Sequence, residues 1–355
     1  MKLAVEPKVF KDESLSSWLI RSSIANGSDP RSFYLALWDK YKIWNKDLDK
    51  HISKQQAISL ARMTALSPKE IINLTLEPYL QKIIDKPLSP LGLWYFLIPR
   101  GKRGLSQTNG MHFCSKCLSD SVPYLKKQWR LAWNVGCPIH KIKLLNKCQI
   151  CSVIFSPQLL TYDAPKIYLC TSCGFDLRDS MITPVNPKAL KFQEKLNNAI
   201  FNVQTISFPA LRTQSLQDLF MTIRTVIPFF QYAYKIKKYH MFFESLELDT
   251  SYMQRNKIMY VFEKMNIKDR EFFLQLTYQF LQSDIEVIKE LLLQLGTTNK
   301  VFLGKPAYMS ATILYLLKYL KVADSSKIEN PKPYTIEPNT KDEVNRLYRE
   351  LIELL

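Results

Sequence analysis

Four pairs of candidate metal-ligand side chains constrain this chain more than any other feature of its sequence. All seven cysteines lie between positions 114 and 173, and the one without a cysteine partner has a histidine at the matching position. Two residues separate the members of each pair, and the pairs are Cys114 and Cys117, Cys137 and His140, Cys148 and Cys151, and Cys170 and Cys173. Two tetrahedral Zn²⁺ ions need eight ligands of these types. The spacing therefore predicts two structural zinc ions.

Sequential pairing is the arrangement that the spacing favours. It assigns the first two pairs to one ion and the last two to the other, with 19 and 18 residues between the pairs of each site. Such nearly equal intervals are typical of two tandem zinc ribbons, although a cross-brace that joins alternate pairs stays open. With four protein ligands at each ion, no position remains for a catalytic water. The ions are expected to act as scaffolds, each contributing on the order of 10 kcal/mol of folding free energy.

Other uses of these cysteines fit the pattern poorly. An odd number of cysteines and the lack of a secretion signal argue against disulfides, and three copies of Cys-x2-Cys exceed what one redox site needs. The first fifteen residues are charged at Lys2, Glu6, Lys8 and Lys11 and contain no apolar core, unlike a signal peptide. No uninterrupted apolar run is long enough to cross a membrane. We expect a soluble, cytoplasmic protein without a membrane partner.

The chain is strongly basic. It carries 49 basic and 32 acidic side chains, a formal net charge of +17. The excess is densest in residues 111–180, which contain nine basic and four acidic side chains. Such a balance favours a polyanionic partner, either nucleic acid or a ribonucleoprotein. The alternative is that the lysines only keep the protein in solution.

The first hundred residues predict helices with defined starts and ends. Asp12 is the expected N-cap of the first helix, and Asn26–Gly27 is its expected end. Asp29 before Pro30 opens a second helix, because proline is favoured in the first helical turn.

A helical hairpin is predicted next. A helix over roughly 54–64 is expected to have one apolar side, formed by Ile58, Ala61 and Ala65. Ser67 and Glu70 then make a capping box that opens a second short helix, with a proline at its first position. This layout is that of a helix-turn-helix unit. Because the second helix has only Lys69 as a basic group near its start, base reading stays open against a packing or protein-docking role.

Residues 181–355 are again helical in pattern. The apolar spacing predicts helices within QRNKIMYVFEKM, DREFFLQLTYQFLQ, SDIEVIKELLLQL, PAYMSATILYLLKYL and KDEVNRLYRELIELL. The third of these is expected to begin with a capping box of Ser283 and Glu286. Pro331, Pro333 and Pro338 mark a linker before the last helix.

Catalytic motifs are missing from the sequence. It has no G-x4-G-K-[ST] phosphate loop, no G-x-S-x-G and no H-E-x-x-H. The histidines besides His140 are His51, His112 and His240, and none lies beside a spaced carboxylate that suggests a site. Paired carboxylates of a two-metal nuclease stay open, because such residues meet only in three dimensions. We expect no catalytic residues and no enzymatic activity.

The order of these motifs resembles the TniQ family, transposon targeting proteins related to the N-terminal part of TnsD. The resemblance covers roughly residues 8–175. Its most specific part is Trp-Arg-Leu at 129–131, followed by Cys-Pro-x-His at 137–140 and by the Cys-x-x-Cys at 148–151. The resemblance implies a mainly α-helical, multidomain fold, often as a homodimer. The implied domains are an N-terminal helical domain with the helix-turn-helix unit (1–108), a tandem zinc-ribbon module (109–182) and a C-terminal helical domain (183–355).

The resemblance also implies a function in transposition. Family members mark a target site and recruit an AAA+ ATPase (TnsC-like), which brings the transposase. Short members of CRISPR-associated transposons bind a guide-RNA effector (Cascade), and this chain resembles that class. It is therefore expected to be an adaptor that directs RNA-guided DNA insertion, with target DNA contacted directly or indirectly. A TnsD-like protein that reads an attachment site itself is the alternative, and a zinc-ribbon transcription factor outside transposition stays open.

Aromatic and basic residues surround the predicted zinc ligands. Trp129, Trp133 and Tyr124 are expected to pack the ribbons against the helical domain. The basic side chains are then expected to face nucleic acid, the effector or the ATPase; they are Lys126, Lys127, Arg130, Lys141, Lys143 and Lys147.

Overall fold

The computed structural model describes residues 2–37, 43–84, 88–89, 92–100, 111–255, 261–302 and 309–322. Within these residues lie twelve α-helices and no regular β-strand, so the chain is mainly α-helical, as predicted. Five helices precede the cysteine-bearing segment: α1 (Leu15–Ala25), α2 (Pro30–Leu37), α3 (Lys54–Met63), α4 (Pro68–Asn73) and α5 (Glu77–Leu80). Seven follow it: α6 (Pro187–Phe201), α7 (Leu216–Ala233), α8 (His240–Ser245), α9 (Ser251–Arg255), α10 (Ile267–Gln282), α11 (Ile285–Gln294) and α12 (Ala311–Tyr319). None of these twelve helices is both long and apolar enough to span a membrane.

Helix α1 does not begin at the predicted cap. Its N-cap is Ser14, whose Oγ accepts a hydrogen bond from the Ser17 N–H at 3.2 Å. Asp12 instead accepts hydrogen bonds from the Tyr124 hydroxyl and the Lys126 ammonium, at 2.7 and 2.8 Å. The prediction of Asp12 as N-cap was wrong because tertiary partners far along the chain bind its carboxylate.

Helices α3 and α4 follow one another through a short turn, with one predicted detail confirmed and one wrong. The capping box of Ser67 and Glu70 opens α4, and a second box, which was not predicted, opens α3. The apolar side of α3 was wrong, since Ile58 is 36% exposed. The buried residues of α3 are Ala57, Leu60 and Met63. These larger Leu and Met side chains bury more apolar area than the predicted alanines. A helix-turn-helix role for this pair stays a prediction.

The cysteine-bearing segment, residues 111–182, has almost no regular secondary structure. It contains short 3-10 turns and isolated antiparallel backbone pairs rather than strands. Phe113 and Leu145, for example, exchange two backbone hydrogen bonds of 2.8 Å. With so few repeating backbone hydrogen bonds, this segment depends on side-chain contacts, and on any metal that it binds, for its stability.

The largest apolar core contains side chains from all three predicted domains. The rings of Phe96, Trp133 and Phe220 form a cluster with centroid distances of 5.6, 5.2 and 4.9 Å. The Trp133 indole N–H also donates to Asn197 Oδ1 of α6 at 2.8 Å. The three segments therefore pack on one another around shared side chains. The predicted domain boundaries stay a prediction, and the first, at 108, lies outside the described residues.

Three of the predicted C-terminal helices agree with the observed helices, and one predicted cap does not. Helix α10 covers the predicted DREFFLQLTYQFLQ segment, and α11 and α12 lie within the predicted SDIEVIKELLLQL and PAYMSATILYLLKYL segments. The Ser283–Glu286 capping box was wrong, because the N-cap of α11 is Asp284, whose carboxylate accepts from the Glu286 N–H at 2.7 Å. A charged carboxylate is a stronger acceptor than a hydroxyl. Ser283 instead ends α10.

The predicted helix within QRNKIMYVFEKM is not a single helix. Val261 has an extended backbone (φ −95°, ψ 112°) and precedes a 3-10 turn at Phe262–Lys264. Residues 256–260 lie outside the described residues, as do the predicted proline linker and the predicted helix within KDEVNRLYRELIELL.

Gly136 touches the side chain of Val185 so closely that a larger residue has no room. A Cβ atom at position 136 would lie 2.7 Å from Val185 Cγ2. Because Val185 is buried and branched, we expect Gly136→Ala to lower the free energy of unfolding by about 1–3 kcal/mol. Urea denaturation of the metal-loaded chain measures this change. In a Val185→Ala background the same Gly136→Ala change should cost less; equal costs in both backgrounds would contradict the contact.

Candidate metal centres

The first candidate metal centre combines three cysteines and one histidine. The ligand atoms of Cys114, Cys117, Cys137 and His140 all lie within 4.8 Å of one another. His140 Nδ1 is 3.5, 3.4 and 3.5 Å from the three sulfur atoms, and two of the sulfurs are 3.6 Å apart. A tetrahedron with metal–sulfur bonds of about 2.3 Å has edges of about 3.8 Å. The four ligand atoms are therefore spaced as one tetrahedral ion requires.

The second candidate metal centre consists of four cysteines. The sulfur atoms of Cys148, Cys151, Cys170 and Cys173 lie within 4.8 Å of one another. Cys148 and Cys173 are 3.7 Å apart, and Cys151 and Cys170 are 3.6 Å apart. The eight side chains are thus grouped as sequential pairing predicts, and not as a cross-brace. Both groups could hold a metal ion, and their sulfur-rich composition is consistent with zinc.

Three of the four ligand pairs share one backbone turn. The residue after the second ligand has a positive φ; these residues are Lys141 (56°), Ser152 (58°) and Gly174 (73°). In each turn this residue donates its N–H to the carbonyl of the first cysteine of the pair, at 2.8, 3.0 and 3.0 Å. The turn points both ligand atoms of a pair to the same side. Left-handed backbone is unfavourable for lysine and serine, so the turn is maintained there against a local cost of about 1 kcal/mol.

The ionisation of the thiols also fits a metal-binding role. The neighbouring Cys114 and Cys137 side chains raise the pKa of Cys117 far above its usual value. Hydrogen bonds from Cys114 and Cys117 lower the pKa of Cys137 to about 2. Sulfur atoms this close together cannot all become thiolates unless a cation compensates their charge. A divalent ion would supply that charge, and its binding would release protons from the remaining thiols.

A comparison with family models identifies the region that includes the first of these two centres. Residues 4–144 match the TniQ family model, so the matched region contains helices α1 to α5 and the first ligand group. The chain carries a TniQ domain. This domain indicates a role in target selection for transposition. The comparison with curated proteins found no match.

Two of the basic residues predicted to bind partners are inside this TniQ-domain protein. Arg130 is 2% exposed, and its guanidinium donates to Asp47 at 2.8 and 2.6 Å and to Asp49 at 3.1 Å. Lys127 is 3% exposed and donates to the carbonyl of Asn73 at 2.6 Å. The expectation that they lie on an open basic surface was wrong. Their acceptors at Asn73, Asp49 and Asp47 lie 54 to 83 residues earlier in the chain, a separation at which no sequence pattern reveals a contact.

Of the other four predicted basic residues, two form ion pairs within the protein and two are exposed. Lys126 forms an ion pair with Asp12 at 2.8 Å, and Lys143 forms one with Glu271 at 2.5 Å. The remaining two, Lys141 and Lys147, are exposed. Of the predicted set, therefore, these two present their charge to solvent.

The predicted packing role of the aromatic residues near the ligands is confirmed. Trp129 and Trp133 are each 1% exposed. Tyr124 stacks on Phe10, with ring centroids 4.3 Å apart, next to its hydrogen bond with Asp12. These rings join the cysteine-bearing segment to the N-terminal helices and, through Trp133, to the C-terminal ones.

The two centres differ in exposure, and we expect the more exposed second centre to lose its metal ion first. Cys173 is exposed and Cys151 is partly exposed, whereas the three cysteines of the first centre are buried. A chain purified with zinc should contain two ions, and a chromogenic chelator should remove them in two phases, the faster from the second centre. Mass spectrometry after brief N-ethylmaleimide treatment should find Cys173 and Cys151 alkylated first. Earlier alkylation of Cys114 or Cys117 would contradict this order.

The Arg130 ion pairs predict a large effect on stability. We expect Arg130→Met to lower the free energy of unfolding by about 3–5 kcal/mol, because two carboxylates are then left without their cation. Lys147→Met, which removes an exposed charge, is the matched control and should change stability by less than about 0.5 kcal/mol. Urea denaturation at pH 7 compares the two.

The same variant should also change the pH dependence of stability. Burial raises the pKa of Asp47, but the charge and hydrogen bonds of Arg130 outweigh it and hold that pKa below its usual value. A lowered folded-state pKa stabilises the protein above the unfolded pKa of about 4, and this contribution is lost as the pH falls below it. The stability difference between the parent and Arg130→Met should therefore shrink as the pH falls below about 4. A constant difference down to pH 3 would contradict an ionised Asp47.

Proposed function

We propose that this TniQ-domain protein is an adaptor between a target-bound guide-RNA effector (Cascade) and the AAA+ ATPase that directs DNA insertion. The observation that carries the proposal is the poor supply of base-reading side chains on α4. Among its residues only Lys69, Glu70 and Asn73 are exposed, and the Glu70 carboxylate is used in the capping box. Specific readout of a duplex usually needs several Arg, Lys, Asn or Gln side chains on one helix. With only Lys69 and Asn73 available on α4, this helix is poorly equipped for such readout, which favours a target supplied by another molecule.

Both metal centres have a structural role in this proposal. Each group supplies four protein ligands, which fills the coordination shell of a tetrahedral Zn²⁺. The ions hold a segment without regular secondary structure, and that segment carries the surface used for binding. Lys141 and Lys147 are its exposed basic residues from the predicted set, and the first of them lies directly after the ligand His140. In this proposal they contact an anionic surface of the effector or of its nucleic acid.

The histidines support a protein that binds rather than catalyses. Burial, followed by the charges of Arg270 and Arg130, lowers the pKa of His112 well below its usual value, and its Nε2 lies 2.9 Å from the Arg270 guanidinium. His51 Nδ1 lies 2.7 Å from a Glu77 carboxylate oxygen. Each of these imidazoles has a partner within the protein, which supports a structural role for both.

Affinity purification tests the adaptor proposal directly. A tagged chain isolated from its native host should retain a guide-RNA effector with its RNA, identified by mass spectrometry and RNA sequencing. The double variant Lys141→Glu, Lys147→Glu should retain at least about fivefold less effector, because it places four units of charge change on the proposed surface. Lys237→Glu changes an exposed lysine in the 3-10 turn between α7 and α8; it is the control and should retain the parental amount.

Direct DNA recognition is the competing outcome. If the protein is recovered without an effector but with one DNA sequence, and prefers that duplex about a thousandfold over random duplex, it reads the site itself, as TnsD-like proteins do. That result would reject the adaptor proposal. It would also identify the exposed basic residues of α3 and α4 as the place to look for base contacts, beginning with Lys54, Arg62 and Lys69.

A further inference from the structure

A cleft of about 580 Å³ lies where the three parts of the chain meet. One wall belongs to α5, one to the segment before the second ligand pair, and one to the last turn of α6. Its lining includes Tyr79, Lys127, Gln128, Asn198, Phe201 and Asn202. Lys11, Glu194 and Pro138 line it as well, and all three are exposed, so the cleft opens to solvent.

One part of the cleft is aromatic. The rings of Tyr79 and Phe201 have centroids 4.6 Å apart and are inclined by 47°. Both side chains are only partly buried, so they leave apolar ring surface facing the cleft. This surface suits an aromatic or aliphatic side chain. The inclined pair does not form the open flat platform on which a nucleic-acid base stacks.

Lys127 brings a positive charge to the inner wall. Its ammonium donates to the carbonyl of Asn73 at 2.6 Å and lies 5.1 Å from the centre of the Tyr79 ring. Within the described residues it has no carboxylate within ion-pair distance. Burial lowers the pKa of this lysine to about 8, in spite of more distant carboxylates. A buried ammonium with only neutral partners is stabilised when a carboxylate arrives.

Amide groups line the wall beside this lysine. Asn202 donates its side-chain N–H to Asn198 Oδ1 at 3.0 Å. This contact leaves the side-chain NH2 group of Asn198 as a donor and the side-chain oxygen of Asn202 as an acceptor. Neither of these two groups makes another hydrogen bond within the described part of the chain. One donor beside one acceptor is the pattern that a peptide bond requires.

Charges at the mouth of the cleft indicate the class of ligand. Lys11 and Glu194 have opposite signs, and the Asp12 carboxylate also lines the cleft. These two carboxylates would repel every phosphate of a nucleic-acid strand, whereas a peptide with one acidic side chain meets this repulsion only once and can place that side chain next to a lysine. We infer that this cleft binds a short peptide segment of a partner protein, with an acidic side chain directed to Lys127 and an apolar one on Tyr79 and Phe201. The inference holds for either mode of target selection, because it concerns the contact with a partner protein only.

Selection from a peptide library tests the inference. The full-length, metal-loaded chain is used to select from random 12-residue peptides displayed on phage, and the selected peptides are synthesised with a fluorophore. Fluorescence anisotropy then measures Kd for the parent and the variants. We expect the selected peptides to share an Asp or Glu next to an aromatic or aliphatic residue. A selection without enrichment, or without an acidic residue in the shared pattern, would overturn the inference.

Variants on the two sides of the mouth should change affinity in opposite directions. Lys11→Glu should weaken binding of an acidic peptide about two- to fivefold, and Glu194→Lys should strengthen it by a similar factor. Both residues are exposed, so neither change should affect folding. Lys237→Glu, outside the cleft, should leave Kd unchanged. If Lys11→Glu and Glu194→Lys have the same effect as this control, the peptide binds elsewhere and the inference is wrong.

A third variant tests the inner wall. Lys127→Met keeps the aliphatic part of the side chain and should weaken binding about thirtyfold or more, since it removes a buried charged partner. Zinc content and thermal unfolding establish whether this variant is folded. If it is not, Lys11→Glu alone tests whether a positive charge at the cleft attracts the acidic peptide. Oligo(dT) serves as the competing probe. Displacement of the peptide by micromolar oligo(dT) would show that the cleft takes nucleic acid, and would overturn the inference.

Discussion

The guanidinium of Arg130 determines how the N-terminal helices meet the cysteine-bearing segment. It binds Asp47 and Asp49, which precede α3, and also the carbonyl of Ile98 at 2.9 Å. Asp49 in turn accepts hydrogen bonds from the backbone and hydroxyl of Ser16 at 2.8 and 2.7 Å, which brings in the first turn of α1. Buried ion pairs of this kind rarely exceed apolar packing in net stability, but they permit only one arrangement of the groups that they join. The relative position of four separate stretches of chain depends on this one side chain.

The two candidate metal centres have different structural settings although their ligand spacings are alike. The first lies within an apolar cluster that includes Phe113, Trp129 and Ile20 of α1, so the N-terminal helices cover it. The second contributes Cys148 and Cys170 to the same cluster but leaves Cys173 exposed and Cys151 partly exposed. The family match contains the first centre and ends before the second. A change at either centre therefore reaches an apolar cluster that includes a side chain of α1, and the two centres differ in how much of their ligand set solvent reaches.

Features set by neighbouring residues were predictable from the sequence, and features set by distant residues were not. The grouping of the eight ligand side chains follows from spacing, because a tight turn brings residues three positions apart to one point. The Ser67–Glu70 box follows in the same way, since both partners lie within one helical turn. Asp12 is an acceptable cap by local rules, yet Tyr124 and Lys126 compete for its carboxylate. Arg130 and Lys127 belong to a basic stretch of sequence, and only the folded chain reveals that Asp47, Asp49 and the Asn73 carbonyl bind them.

The shared aromatic core has a consequence for the order of events during synthesis. All four ligands of the first centre, and Trp133 within it, precede Phe220 by at least eighty residues of chain. At about 5–20 residues per second, the ribosome needs roughly 4 to 16 seconds to supply that interval. During this time the cysteines are available to metal while the aromatic surface around Trp133 still lacks its C-terminal cover. A metal ion can therefore reach the four ligand side chains of the first centre before the chain that completes the core around Trp133 has been synthesised.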